Sequence, residues 1–307
     1  AHATVAQGGG LTAILFSTPG TGQNAATLLD GPPMRDKGEA GIAVGAAMAS
    51  CFLGATFGAV VLALLIPVLR EVVLFFGPPE VFVLAFLALT FVAVLGKEDM
   101  TRSLIAALLG MLLAMVGVDN VTNTFRFTMG SERLADGLQL VPVILGLFAV
   151  AEMIDLWVRG GTLAKDVPTA LSAKETQKQI FKGIGLAFKN WWLVMRCSAI
   201  GTAMGLIPGL GSAPASFVAY GHAKQSSPDR ETFGKGNVKG VIGPEAANDA
   251  VEGGALASTL AFGIPGSSSM AILLSGLFIL GLETGPRMLN QNVDIVFVMI
   301  FTIIFGN

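Results

Sequence analysis

The chain has 307 residues, of which 53% are apolar and only 13% charged, with a formal net charge of −2 and a mean hydropathy of +0.70. That balance lies far from an average soluble domain and excludes nucleic-acid binding, which needs a basic face. The two cysteines, Cys51 and Cys197, stand alone without metal-ligand spacing and read as small core residues.

Several apolar runs can cross about 30 Å of hydrocarbon, so composition predicts an all-α polytopic membrane protein. Residues 1–10 resemble neither a signal peptide nor a cap, and the apolar run 293–305 stops short of a span. The chain therefore reads as an internal fragment of a longer membrane protein. The first apolar segment is interrupted by Phe16-Ser17-Thr18-Pro19-Gly20-Thr21, followed by Ala26-Thr27-Leu28-Leu29-Asp30-Gly31. Asp30, near Arg35 and Lys37, is expected at the membrane interface. A long Gly/Ala-rich helix is predicted over 41–69, where Gly54 and Gly58, like Gly110 later, suit close helix packing. Shorter helices follow over 80–95 and 103–118, and a third apolar run covers 134–158. Between them Arg126 reads either as a carboxylate clamp or as an ion-pair partner of Glu132 or Asp136.

Residues 159–189 form the longest polar segment, with six Lys/Arg against Asp166 and Glu175. This divides the chain into part of a first repeat (1–158), a cytoplasmic linker (159–189) and part of a second repeat (190–307). With the linker inside, Arg35, Lys37, Lys97, Arg102, Lys224, Arg230, Lys235 and Lys239 also fall inside, fourteen of the nineteen basic residues. Trp157, Trp191 and Trp192 then fit an interfacial aromatic belt. The stretch 190–221 begins and ends on one side yet is too short for two crossings of about 20 residues each. It is expected to be re-entrant, turning near Pro208-Gly209.

The phrase of the first break returns as Phe262-Gly263-Ile264-Pro265-Gly266-Ser267, followed by Ala271-Ile272-Leu273-Leu274-Ser275-Gly276. Proline removes a helix donor, and glycine permits a sharp change of direction. In hydrocarbon such a break needs protein or a water-filled cavity to satisfy its backbone. Repeated in two halves, it points to a transport site in an inverted-repeat secondary transporter with broken helices.

Half-helices that start after Pro19-Gly20, Pro208-Gly209 and Pro265-Gly266 would aim N–H groups and positive dipole ends at an anionic substrate. The candidate substrate-binding residues are Ser17, Thr18, Pro19, Gly20, Thr21, Asn24 and Thr27 at the first break. At the second they are Pro208, Gly209, Gly211 and Ser212, and at the third Pro265, Gly266, Ser267, Ser268 and, with the same loops, Asn248. Alternatively the hydroxyls only cap helices. Glu245, Asn248 and Asp249, with Glu252 nearby, are candidates for the coupling ion, since intramembrane acids default to function. For Glu245 the alternative is an interfacial role beside 235–239, or pairing with a helix dipole that starts at Pro244.

The runs Gly205-Leu206-Ile207-Pro208-Gly209-Leu210-Gly211, Gly243-Pro244-Glu245-Ala246-Ala247-Asn248-Asp249-Ala250 and Gly263-Ile264-Pro265-Gly266-Ser267 carry a resemblance. So do Thr18-Pro19-Gly20-Thr21, Ala25-Ala26-Thr27-Leu28-Leu29-Asp30-Gly31 and Gly77-Pro78-Pro79-Glu80. The chain resembles, along nearly its whole length, the large membrane subunit of the tripartite tricarboxylate transporters. Asp249 stands where that family usually has Asn. The resemblance implies a permease of the bacterial inner membrane that needs no cofactor beyond a sodium or proton gradient. It would work with a small membrane subunit and a periplasmic solute-binding protein that delivers carboxylates. An intramembrane enzyme and a passive channel are the competing readings. No Ser/His, Asp/Asp or His-Glu-x-x-His constellation supports the first, and repeated helix breaks favour alternating access over the second.

Overall fold

The computed structural model describes residues 2–75, 100–118, 124–135, 172–207 and 212–306, with scattered positions between 79 and 158. It divides into two compact units, Ala1–Phe75 with Thr162–Met270 and Glu283–Asn307, and Phe76–Gly161 with Ala271–Leu282.

The first unit is helical. Helix α1 (His2–Phe16) leads into a 3-10 segment (Gly22–Leu29), the short α2 (Gly31–Asp36) and the long α3 (Ala40–Phe75). After the first unit resumes come α5 (Ala173–Lys189), α6 (Trp191–Gly205) and α7 (Ser212–Ser226). The second unit holds α4 (Met100–Ala114) and a two-residue hairpin in which Gly117 pairs with Arg126 and Val118 with Phe125. Helix α8 (Lys239–Phe262) returns to the first unit, α9 (Ser268–Ile279) runs from the first unit into the second, and α10 (Pro286–Asn290) and α11 (Val293–Phe305) complete the first.

Helix α8 is the spine of the first unit. Every residue from Gly240 to Ala261 is buried, so α8 has no solvent face, as expected of a helix enclosed by others. Small residues make the enclosure possible. A methyl group at Gly54 or Gly58 of α3 would overlap the backbone of Ala246 or Ala250. On the other side, Gly201 and Gly205 of α6 lie equally close to Ala247 and Val251. Backbones thus meet where side chains would hold them apart, the usual device for joining helices in lipid. Gly110, expected to act likewise, has no described atom within 4 Å of a methyl group placed on it.

Among the described residues α3 is the one helix long and apolar enough to cross a membrane. It runs six residues past the 69 expected from the sequence and carries Pro67 inside it. Helices α6 and α7 have 15 residues each, about 22 Å at the α-helical rise. The second half of the polar 159–189 stretch is helix α5, whose Ile180 and Gly183 pack against Gly45 and Ile42 of α3. Its start is capped by Ser172, which accepts from the Glu175 amide at 3.4 Å.

Candidate functional site

Buried in the middle of α8 is a ladder of polar side chains. Glu245 is 1% exposed, Asn248 1%, Asp249 0% and Glu252 3%. Glu245 and Asp249 are four residues apart and Glu252 three further, so the three acids share one helical face over about 10 Å of rise. The interfacial alternative for Glu245 does not hold. It lies well inside α8, which starts at Lys239, and Pro244 is inside the helix rather than in its first turn. The nearby Lys239 instead pairs with Asp229 at 2.7 Å.

Glu245 is the best-connected member. Its Oε1 accepts from the Thr27 hydroxyl and, at 3.4 Å, from the Asn24 amide; its Oε2 accepts from Cys51 Sγ at 3.2 Å. Thr27 and Asn24 belong to the 3-10 segment after the first break, and Cys51 belongs to α3. The bare backbone of Gly10 in α1 forms another wall, since a methyl there would stand 3.0 Å from Oε1.

Asp249 and Asn248 are different. Neither carboxylate oxygen of Asp249 and neither end of the Asn248 amide has a described partner in full hydrogen-bond geometry, although Cys51 lies against Asp249 and Glu245 against Asn248. The ion pairs between described residues, Arg35–Asp36, Lys239–Asp229 and Arg287–Glu283, leave Glu245 and Asp249 aside. An ionised carboxylate taken out of water without a partner costs several kcal/mol or more. Such groups persist by holding a proton or a cation. Carboxylate and amide oxygens are the ligands that a hard cation takes.

Both breaks of the repeated phrase are real ends of helices. Helix α1 stops at Phe16 and α8 at Phe262, and the next residue is left-handed each time: Ser17 with φ 54° and Gly263 with φ 68°. The Pro19-Gly20 loop folds back on α1, the Gly20 amide donating to Gly9 O at 3.4 Å. The loops also meet the described ends of the Pro208 turn. A methyl at Gly22 would stand 3.7 Å from Ala213 Cβ in α7, and one at Gly266 would stand 3.3 Å from Gly205 O in α6.

The other predicted side chains are placed as follows. Thr18 donates back to Phe16 O at 3.3 Å, and Ser17 Oγ accepts from Arg35 at 3.2 Å. Thr21 donates to Asn24 Oδ1 at 2.7 Å. Ser212 is buried as the first residue of α7. Ser267 Oγ accepts from the Met270 amide at 3.3 Å, a capping geometry; Ser268 opens α9. Pro265 is half-buried, and the buried Gly266 donates its amide to Thr259 Oγ1 at 3.4 Å. Pro208, Gly209 and Gly211 lie outside the described residues. In the second unit Arg126 is an exposed strand residue.

Asp30 was misplaced by sequence reasoning. It is 0% exposed, and its carboxylate accepts from three backbone amides and from Tyr220. Arg35, its supposed neighbour at an interface, donates instead to Leu15 O at the end of α1. A signal was available in Phe233-Gly234-Lys235-Gly236: glycines at φ 80° and 92° curl the chain around an anion. Cys51, read as core filler, also faces the site.

Helices packed through glycine, broken helices and a buried acid ladder, with one helix long and apolar enough to cross a membrane among the described residues, fit the class of all-α membrane proteins. The Tripartite tricarboxylate transporter TctA family matches residues 1–307, and the chain belongs to that family. An uncharacterized 52.8 kDa protein in the TAR-I ttuC' 3' region of Agrobacterium vitis is 31% identical over 98% of this chain and 58% of its own length. A second protein of that organism, in the TAR-II ttuC' 3' region, is 32% identical over 35% of this chain and 44% of its own. The chain thus spans a little over half the length of the first of these relatives. No solved structure matches it.

Proposed function

We propose that the chain is part of the large permease subunit of a tripartite secondary transporter, taking up tricarboxylates or related carboxylates by cation symport. The observation that carries this reading is the convergence of two helix breaks and the described ends of α6 and α7 beside the buried Glu245 and Asp249. Gly22 lies against Ala213 and Gly266 against Gly205, so the breaks at Pro19 and Pro265 meet the end of α6 and the start of α7 in one region of the first unit. Loop amides and the hydroxyls of Ser212, Ser267 and Ser268 offer donors to carboxylate oxygens without a full positive charge, and Thr21 joins them when its hydroxyl leaves Asn24. Glu245, Asn248 and Asp249 hold the sodium ion or proton.

In this reading the two Phe-x-x-Pro-Gly breaks are equivalent positions of an inverted repeat, and α6 and α7 form a re-entrant pair. The site is the bacterial inner membrane, with 159–189 in the cytoplasm. The partners are a small membrane subunit and a periplasmic binding protein. Single cysteines at Lys189 and Ser226 test the topology: labelling from opposite faces of the membrane would exclude the re-entrant pair.

The function itself is tested by uptake of a carboxylate series into proteoliposomes containing the full-length complex, with sodium and proton gradients imposed separately. Saturable accumulation driven by one gradient is expected. Flux that neither saturates nor responds to either gradient would sink the proposal. T21V and S267V are expected to raise KM for the substrate at least tenfold, and unchanged uptake in both would reduce the repeated breaks to architecture.

A further inference from the structure

The hydroxyl and amide expected to face substrate at the first break are turned toward the acid helix. Thr21 Oγ1 donates to Asn24 Oδ1 at 2.7 Å, Asn24 Nδ2 donates to Glu245 at 3.4 Å, and Thr27 donates to the same carboxylate oxygen. This chain of hydrogen bonds joins the Pro19-Gly20-Thr21 loop to Glu245. One turn away stand the buried Asp249 and Asn248, neither with a described partner in full hydrogen-bond geometry; their open valences point to a cation or proton taken up there. We infer that the Thr27–Glu245–Asn24 contact is the element that couples cation occupancy to the substrate loop, with Thr27 and Asn24 as positioning residues. The inference rests on the transport reading above.

The chemistry of the groups gives the coupling its direction. An ionised Glu245 is an acceptor only, and both its oxygens are engaged by donors. A bound cation competes for those lone pairs, and a proton converts one oxygen into a donor. Thr27 can answer by turning its hydroxyl round, because it both donates and accepts. The Asn24 NH2 group cannot, so a cation or proton on Glu245 weakens its contact with that carboxyl. That contact holds a 3-10 segment, whose hydrogen-bond geometry is weaker than that of an α-helix. Among the described side chains, the titratable groups near Glu245 are Cys51 of α3 and Asp249 of α8, and Gly10 of α1 meets it with bare backbone. No basic side chain among the described residues pairs with it.

The test uses the full-length complex in proteoliposomes, with citrate as the carboxylate probe and sodium concentration and pH varied in turn. Wild type is expected to show a KM for citrate that falls about tenfold or more as the coupling cation rises from absence to saturation, within the usual range of coupling factors. In T27V and in E245Q that shift should shrink to less than about twofold, whatever the absolute rate, and T27S should restore it. T27V and E245Q with the wild-type shift would overturn the inference while leaving the transport reading intact. A wild-type complex whose uptake ignores both gradients would overturn the transport reading, and this inference with it.

Discussion

Tyr220 donates its hydroxyl to Asp30 Oδ2 at 3.0 Å, while Asp30 Oδ1 accepts the amides of Gly234, Gly236 and Asn237 at 2.9, 2.8 and 2.8 Å. Asp30 therefore ties the end of the first broken segment to α7 and to the turn that feeds α8. Truncating it strands the buried Tyr220 phenol and Asn237 amide, and frees the more exposed Gly234 and Gly236 amides. D30A is expected to lower stability by at least about 3 kcal/mol, and Y220F, which removes one bond, by about 1 kcal/mol. Thermal unfolding of the detergent-purified protein measures both. Equal, small effects would mean that the four bonds are incidental.

The glycine contacts around α8 make a sharper contrast. G54A and G201A each force a methyl into a neighbouring carbonyl, that of Ala246 or Ala247, and tight cores answer overpacking with losses of about 1–3 kcal/mol. G110A adds a methyl where no described atom lies within 4 Å, and alanine is also the better helix former. It should therefore be neutral or slightly stabilising. The yield of folded protein after detergent extraction distinguishes the three variants, and a loss in G110A equal to that in G54A would break the argument.

Much of this was legible in the chain because proline and glycine act locally. The helix ends at Phe16 and Phe262 follow from the residues next to them. So does the close packing at Gly54 and Gly58, since small residues in an apolar run have few other uses. Which side chain meets which was not legible. Asp30 is expected at the membrane interface because Arg35 and Lys37 follow it, but the partners that enclose its carboxylate lie about two hundred residues away and leave no local signal at Asp30. Asn24 and Thr27 stood in a loop that invited a substrate role, but only the packing of the 3-10 segment on α8 turns them toward Glu245. The start of α8 at Lys239, not near Pro244, arises because buried packing tolerates an internal proline that local propensity disfavours.

The loop before α8 predicts a dependence on pH. Lys239 Nζ donates to Asp229 Oδ1 at 2.7 Å, and Asn237 Nδ2 donates to Oδ2 at 2.8 Å. The bond from Lys239, aided by that from Asn237, holds the Asp229 carboxyl below its ordinary value of 3.8. A depressed carboxylate adds stability that is fully present above the unfolded value and is lost as pH falls through the folded one. The contribution is therefore constant from neutral pH down to about 5 and disappears below about 4. D229N should be slightly less stable than wild type at pH 7 and should converge with it in acid. Because the pair is partly exposed, the gap should also narrow at high salt. A gap that widens in acid would contradict the assignment.

The two repeated breaks differ in a way that makes a last prediction. Ser17 and Gly263 occupy the same place in the phrase and both are left-handed, at φ 54° and 68°. A residue with a Cβ pays about 1–2 kcal/mol for that conformation, whereas glycine adopts it freely. Replacing Ser17 by glycine relieves this strain but raises the entropy of the unfolded chain by a comparable amount. It also removes an acceptor for Arg35 at 3.2 Å. S17G should therefore change stability by less than about 1 kcal/mol. G263A enjoys no such cancellation. It acquires the strain, and its new methyl would stand 2.7 Å from Thr284 Oγ1, so a loss of about 1–3 kcal/mol is expected. Unfolding followed by circular dichroism decides between these outcomes. If G263A were as well tolerated as S17G, the left-handed residue after each phenylalanine would not be a fixed feature of the break.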